Sequence, residues 1–96
     1  MRTYNETKTY YAIQKGISGF FQYDEDCEED YDEEGNLTTF IQLPLFVGVR
    51  SCYQFKTKEL AEDFLYNNAY VTKCFPETFK NCRVTKVTIE TTITLE

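Results

Sequence analysis

The chain of 96 residues has no His and no Trp, only two Pro, and four glycines scattered along it. Without His the usual general base at neutral pH is missing. Four dispersed glycines build no phosphate-cradling loop, and no Ser or Cys stands in a nucleophile motif. A carboxylate pair suited to acid–base work needs apolar walls that push two pKa values apart, and the acids crowded between Asp24 and Glu34 lack them. These absences argue against an enzyme. No apolar stretch approaches the roughly 20 residues needed to cross a bilayer, and Met1 to Lys15 lacks the apolar segment of a secretion signal. The triplets Asn5-Glu6-Thr7 and Asn36-Leu37-Thr38 are accordingly read as chance matches to a glycosylation signal, and an intracellular chain is expected.

Cysteine is present but unpatterned. Cys27, Cys52, Cys74 and Cys82 form no Cys-x-x-Cys pair, and without His a zinc site would need all four thiolates from distant positions. Small buried thiols are expected, with Cys27 the exception. Its acidic neighbours should raise its pKa and leave it unreactive.

The length suits one domain spanning residues 1–96, and eight Phe, eight Tyr and well-spread Val, Ile and Leu supply one modest core. The net charge of −6 conceals a sharp asymmetry. Asp24, Glu25, Asp26, Glu28, Glu29, Asp30, Asp32, Glu33 and Glu34 place nine acids in eleven residues with no base among them, and the remainder of the chain is +3. Extended at about 3.3 Å per residue, this run carries one charge per roughly 4 Å, close to the one per ~3.4 Å of a nucleic-acid strand. Carboxylates about 7 Å apart in water repel by roughly 0.6 kcal/mol, so an extended or mobile loop over residues 24–36 is expected unless a cationic partner neutralises it. An inert solvated loop and a binding element are the two readings of such a run.

A calcium loop fits only in part. From Asp30 the acids fall at loop positions 1, 3 and 5, with Gly35 at 6 and Leu37 at 8, but Ile41 occupies position 12 where a bidentate Glu belongs. No specific metal site and no cofactor are expected.

The rest reads as β-β-β-α-β. Thr7 to Lys15 alternates Tyr11 and Ile13 against Tyr10 and Ala12, and Gly16-Ile17-Ser18-Gly19 turns it into a strand beginning at Phe20. Glu34-Gly35-Asn36 makes a turn with φ > 0 at Gly35. Thr38 to Arg50 places Ile41, Leu43, Leu45, Val47 and Val49 at period 2, with Pro44 marking an edge or a break. Thr57 caps a helix whose stripe is Leu60, Ala61, Phe64 and Leu65 and whose stop is Asn67-Asn68. Tyr70 to Asn81 reads as irregular, with Phe75 and Phe79 as anchors. Arg83 to Leu95 reads as a Thr-rich strand with Val84 out of register, the mark of a bulge. The expected fold is α+β: a small, mostly antiparallel sheet of four or five strands with one helix packed on one face.

The bases Lys56, Lys58, Lys73, Lys80, Arg83 and Lys86 cluster in the second half among Tyr and Phe. Interleaving of this kind is more often a half-exposed sheet than a nucleic-acid surface, and the acidic run would repel phosphates.

The opening strand TYYAIQKG, the junction FKTKELAEDFL and the acidic run together resemble small phage-encoded anti-CRISPR and related anti-defence inhibitors. Several members of that class mimic nucleic acid and occupy the motif-reading channel of an RNA-guided nuclease. The resemblance implies a non-catalytic protein in the cytoplasm of a bacterial host, with the nine acids meeting Lys and Arg of a basic nucleic-acid-binding partner. Tyr23 and Tyr31 would then stack on Arg or fill small pockets. The alternative is a structural protein that self-associates through a sheet edge at Arg83 to Leu95, its acids serving solubility alone.

Overall fold

A computed structural model describes residues 1–68 and 70–96. The fold is α+β: four antiparallel strands, β1 (Arg2–Lys15), β2 (Gly19–Tyr31), β3 (Leu37–Val47) and β4 (Arg83–Leu95), stand in the order β3-β2-β1-β4. The helical layer between β3 and β4 comprises α1 (Lys58–Glu62), a wider π-type segment (Asp63–Asn68) and α2 (Tyr70–Cys74). The chain from β3 to β4 thus crosses from one edge of the sheet to the other, with its helices on one face.

The sheet is divided along its middle. β1 and β4 pair without interruption from Arg2↔Leu95 to Gln14↔Arg83, and β2 pairs with β3 from Phe20↔Val47 to Tyr31↔Leu37. β1 and β2 are in register only at Gln14↔Phe20 and Lys15↔Gly19, beside the turn that joins them. Beyond it the strands part, and Tyr53–Phe55 enters the gap. Phe55 exchanges both backbone hydrogen bonds with Tyr11 at 2.8 Å, while Tyr53 N donates to Phe21 O at 2.8 Å. Two ribbons, β1/β4 and β2/β3, therefore leave a common core. The long axis of 66 Å exceeds the ~46 Å that a 14-residue strand spans, so the ribbons diverge. The radius of gyration of 17.5 Å likewise stands well above the ~12 Å of a compact chain this long.

Local chemistry explains the junctions. Gly16 at φ 68° starts the β1–β2 turn, and at Gly19 a Cβ would lie 2.9 Å from Lys15 O and 3.3 Å from Phe46 Cβ. Gln14, buried at this corner, donates to Ile17 O and accepts from Thr85 Oγ1, so its amide is satisfied. Thr57 Oγ1 accepts from Leu60 N at 3.1 Å, the expected cap, with Glu59 in the first turn where the helix dipole favours an anion.

Both faces of the sheet are covered near the junction. Ile13, Phe21, Ile41 and Phe55 pack under Ala61, Leu65, Val71 and Phe79 on the helical side. Phe21 is the centre of this layer, 4.9 to 6.4 Å from the rings of Tyr23, Phe46, Tyr53, Phe64 and Phe79. On the other side Tyr10, Ala12 and Phe20 pack against Cys52, which follows the 3-10 turn Val49–Ser51.

Several sequence expectations need correction. Val84 marks no bulge, because the β1–β4 register is regular there; it packs on the helical side opposite Ile13, while Val87 and Ile89 join the other cluster. The period-2 face of β3 does not persist. Pro44 leaves the strand continuous on the sheet's edge but pairs with Tyr23, and the next pair is Cys27↔Gln42, so Asp24, Glu25 and Asp26 bulge opposite the single residue Leu43. The faces exchange there: Ile41 and Phe46 both reach the helical core, and Val47 lies on the opposite side. Leu60 is exposed and outside the helix's buried stripe. The helical layer does not stop at Asn67-Asn68 for good, since α2 occupies the first part of the stretch expected to be irregular. Phe79 is the anchor it was expected to be, and Phe75 packs beside it.

Candidate functional site

The acidic run is mostly strand. Asp24–Tyr31 forms the outer half of β2, and only Asp32–Asn36 turns to meet β3, in place of a loop through residues 24–36. The turn is built by one of the acids. Asp32 Oδ1 accepts from Glu34 N and Asn36 N, each at 2.9 Å; Asp32 N donates to Asn36 O, and Gly35 N donates to Asp32 O. Gly35 has φ 89°, as the sequence implies. The backbone hydrogen bond from Asn36, joined by those of Glu34 and Gly35, holds the Asp32 carboxyl below its ordinary value. This geometry commits Asp32 Oδ1 to the backbone of its own turn. Among the described residues no cluster of metal-ligating side chains occurs.

The remaining acids are distributed by the strand and its bulge. Asp24, Glu25 and Asp26 ride the bulge, where Asp24 Oδ1 accepts from Asp26 N at 3.2 Å and Gln42 Nε2 donates to Asp24 O at 2.7 Å. Glu28 and Asp30 stand opposite Ile41 and Thr39, on the face that leads to α2. Tyr70 of α2 is raised chiefly by its hydrogen bond with Cys74, with a smaller contribution from the charge of Asp30. Glu29 projects from the other face with Cys27 and Tyr31. The Tyr31 hydroxyl donates to Glu29 Oε2, and Cys27 Sγ approaches Glu29 Oε1 at 3.8 Å. That hydrogen bond raises the Tyr31 phenol. Loss of hydration along the strand, then the charges of Glu29 and Asp26, push the Cys27 thiol up, as expected from its neighbours. Glu33 and Glu34 cap the tip.

Two features set this ribbon apart as a surface. Among the described residues none of the nine carboxylates lies in an ion pair; the pair that forms, Lys58–Glu62 at 3.5 Å, is on α1. The face bearing Glu29 also exposes Tyr31, Leu37 and Phe40, each more than half accessible. The register places these three together, because Tyr31 pairs with Leu37 and Glu29 with Phe40. The sequence reading missed Leu37 and Phe40. The strand register that aligns them with Tyr31 depends on a bulge at Thr38, whose hydroxyl donates to Asp30 O.

Tyr23, expected beside the acids, is not brought to them. It is half-buried against Phe21 at 4.9 Å and Tyr53 at 5.5 Å, and burial raises its pKa. Cysteine burial also differs from expectation: Cys52 is buried and Cys82 partly so, but Cys74 is exposed along with Cys27, and all four are free thiols. Several of the bases have local tasks. Lys15 Nζ donates to Thr78 O at 2.7 Å and Arg83 to Gly16 O at 3.1 Å, while Lys58 and Lys86 flank Tyr11 and Val84 around a recess of about 340 Å³. A second cleft, about 450 Å³, opens between Tyr53–Lys56 and the helical residues Leu60, Asp63 and Phe64. No helix among the described residues is long and apolar enough to cross a membrane.

No family model matches the chain, and comparison with curated proteins and with solved structures yields no match.

Proposed function

We propose that the chain is a non-catalytic inhibitor or binding protein that places its acidic β2/β3 ribbon in a basic, nucleic-acid-handling groove of a partner. An RNA-guided nuclease in a bacterial cytoplasm is the partner class that the resemblance to anti-CRISPR proteins suggests. The observation that carries this reading is a run of nine acids, without ion pairs among the described residues, six of them on the extended strand β2 and three in the turn at its tip, on a ribbon that projects from the core. Extended backbone gives the spacing of about 4 Å per charge that approaches a nucleic-acid strand. A folded ribbon also offers the charges at lower ordering cost than a mobile loop would.

The reading is tested by anisotropy of a labelled DNA duplex bound to a guide-loaded nuclease. The chain is expected to displace the duplex with a midpoint that weakens steeply with salt. A panel of such nucleases that retains its DNA at saturating chain removes this partner class.

A second reading, self-association through a sheet edge, is favoured by one observation. β4 is the last strand in the sheet order, and among the described residues no further strand pairs with its outer edge. Sedimentation of the chain alone separates the two: oligomers that a Pro at an outward N–H of β4 dissolves support the edge, and a monomer supports the ribbon.

A further inference from the structure

The acidic ribbon has a feature that charge mimicry does not use. Tyr31, Leu37 and Phe40 share one face and are 57%, 53% and 54% exposed. The opposite face of the same ribbon leans on the helices, since Ile41 is buried in one cluster with Val71. Among the described residues no layer covers the face with the three apolar side chains. Half of each aromatic surface plus half of Leu37 amounts to roughly 300 Å², the size of patch that commonly marks an interaction site.

Charge decides what covers it. Glu29 projects from the midst of the patch, Glu28 and Asp30 lie on the other face of the same strand, and Glu33 and Glu34 stand at the tip beyond it. A phosphate backbone or an anionic membrane would be repelled. A second copy stacked face to face would bring two such runs together. A basic protein surface has the complementary sign.

We infer that this face docks on a protein surface in which apolar side chains are set among Arg and Lys, with Phe40, Tyr31 and Leu37 as its anchors. This rests on the binding role proposed above and adds that the contact is not purely ionic. The guanidinium groups would pair with Glu29 and its neighbours and stack on the two rings, while the partner's apolar groups cover Leu37 and Phe40.

The test uses the full chain and two peptides of equal length and charge, one alternating arginine with tryptophan and one alternating arginine with glycine. At about 0.5 M salt, where the screening length falls to roughly 4 Å, the tryptophan peptide should bind about tenfold more tightly. The triple variant Tyr31→Thr, Leu37→Thr, Phe40→Thr keeps β-forming side chains and should bind both peptides alike. Phe40→Tyr, which preserves the ring, should restore most of the preference when the other two positions are native. Equal binding of both peptides by the native chain, or a preference that survives in the triple variant, overturns the inference. So does dimerisation of the chain alone that the triple variant abolishes, which would assign the face to a second copy. The binding role proposed for the acids has its own readout. If neutralising the acids leaves the low-salt affinity for the arginine–glycine peptide unchanged, that reading fails whatever the three apolar residues do.

Discussion

The two ribbons leave the same core as antiparallel pairs of similar length, and they differ in almost everything else. The β1/β4 ribbon holds an unbroken register over its full length. Its outer half balances Arg2 and Lys8 against Glu6 and Glu90 and is otherwise rich in Thr. The β2/β3 ribbon is irregular at two places, the acidic bulge opposite Pro44 and the shift beside Thr38. It carries all nine acids of the run and an exposed apolar trio. Strand pairing alone therefore does not require the acids, since the neutral ribbon pairs better without them. Cross-strand neighbours explain how the acidic ribbon tolerates its load: the β3 residues facing Glu28, Glu29 and Asp30 are Ile41, Phe40 and Thr39, so no acid directly faces another across the pair.

Both ribbons depend on one shared anchor, and removing it should have the largest effect. Phe21 is fully buried at the point where the ribbons part. Phe21→Ala is expected to cost about 3–5 kcal/mol, read as a lower urea midpoint with both ribbons losing protection together. Neutralising six acids that make no turn or bulge bond of their own (Glu25, Glu28, Glu29, Asp30, Glu33 and Glu34, to Gln or Asn) should sharpen the contrast. At roughly 0.5 kcal/mol per lost charge contact, affinity for a basic partner should fall about a hundredfold. Gly19→Ala drives a Cβ against Lys15 O and Phe46 and should cost about 1–3 kcal/mol, splaying the ribbons at Lys15↔Gly19, one of the two pairs that join β1 to β2. Thr57→Ala removes the α1 cap for about 1 kcal/mol, measured by thermal melting, and should leave the β1/β4 ribbon untouched.

The smallest expected effect is a pH dependence at the ribbon's tip. The Asp32 carboxyl lies below its ordinary value of 3.8 in the folded turn. The turn's stabilisation is therefore complete above that value and is lost as pH falls through the lower, folded one. Amide exchange at Glu34, Gly35 and Asn36 should report it, and Asp32→Asn should abolish the dependence. No comparable change is expected at the Gly16 turn, which contains no acid.

The fold was legible wherever local chemistry decides. Gly16 and Gly35 marked their turns, Thr57 its cap, and the alternation of Tyr10 to Ile13 matched the two covered faces. What sequence could not supply is non-local. Nothing in Tyr53-Gln54-Phe55 announces that it hydrogen-bonds to both Tyr11 and Phe21 and so holds β1 away from β2. Val84 looked out of register only because one face of β4 was taken as the core, when both faces are packed near Arg83. Pro44 was read as an edge or a break; the strand is an edge and runs on unbroken, and the irregularity falls on the partner strand as the bulge Asp24–Asp26. That bulge exchanges the faces of β3. The acidic run was visible at once, while the apolar face beside it was not, because Tyr31, Leu37 and Phe40 come together only through the register.

Six of the nine acids, those whose carboxylates make no turn or bulge bond, are proposed to serve a partner and to contribute nothing needed for folding, whereas Asp32 and Asp24 also bond within the ribbon. Taking the six-acid variant through a urea titration and the DNA-displacement assay side by side separates the two roles. The expected result is a midpoint equal to or slightly above that of the native chain, with displacement weakened about a hundredfold. A variant that unfolds earlier yet displaces DNA as well as the native chain would contradict it.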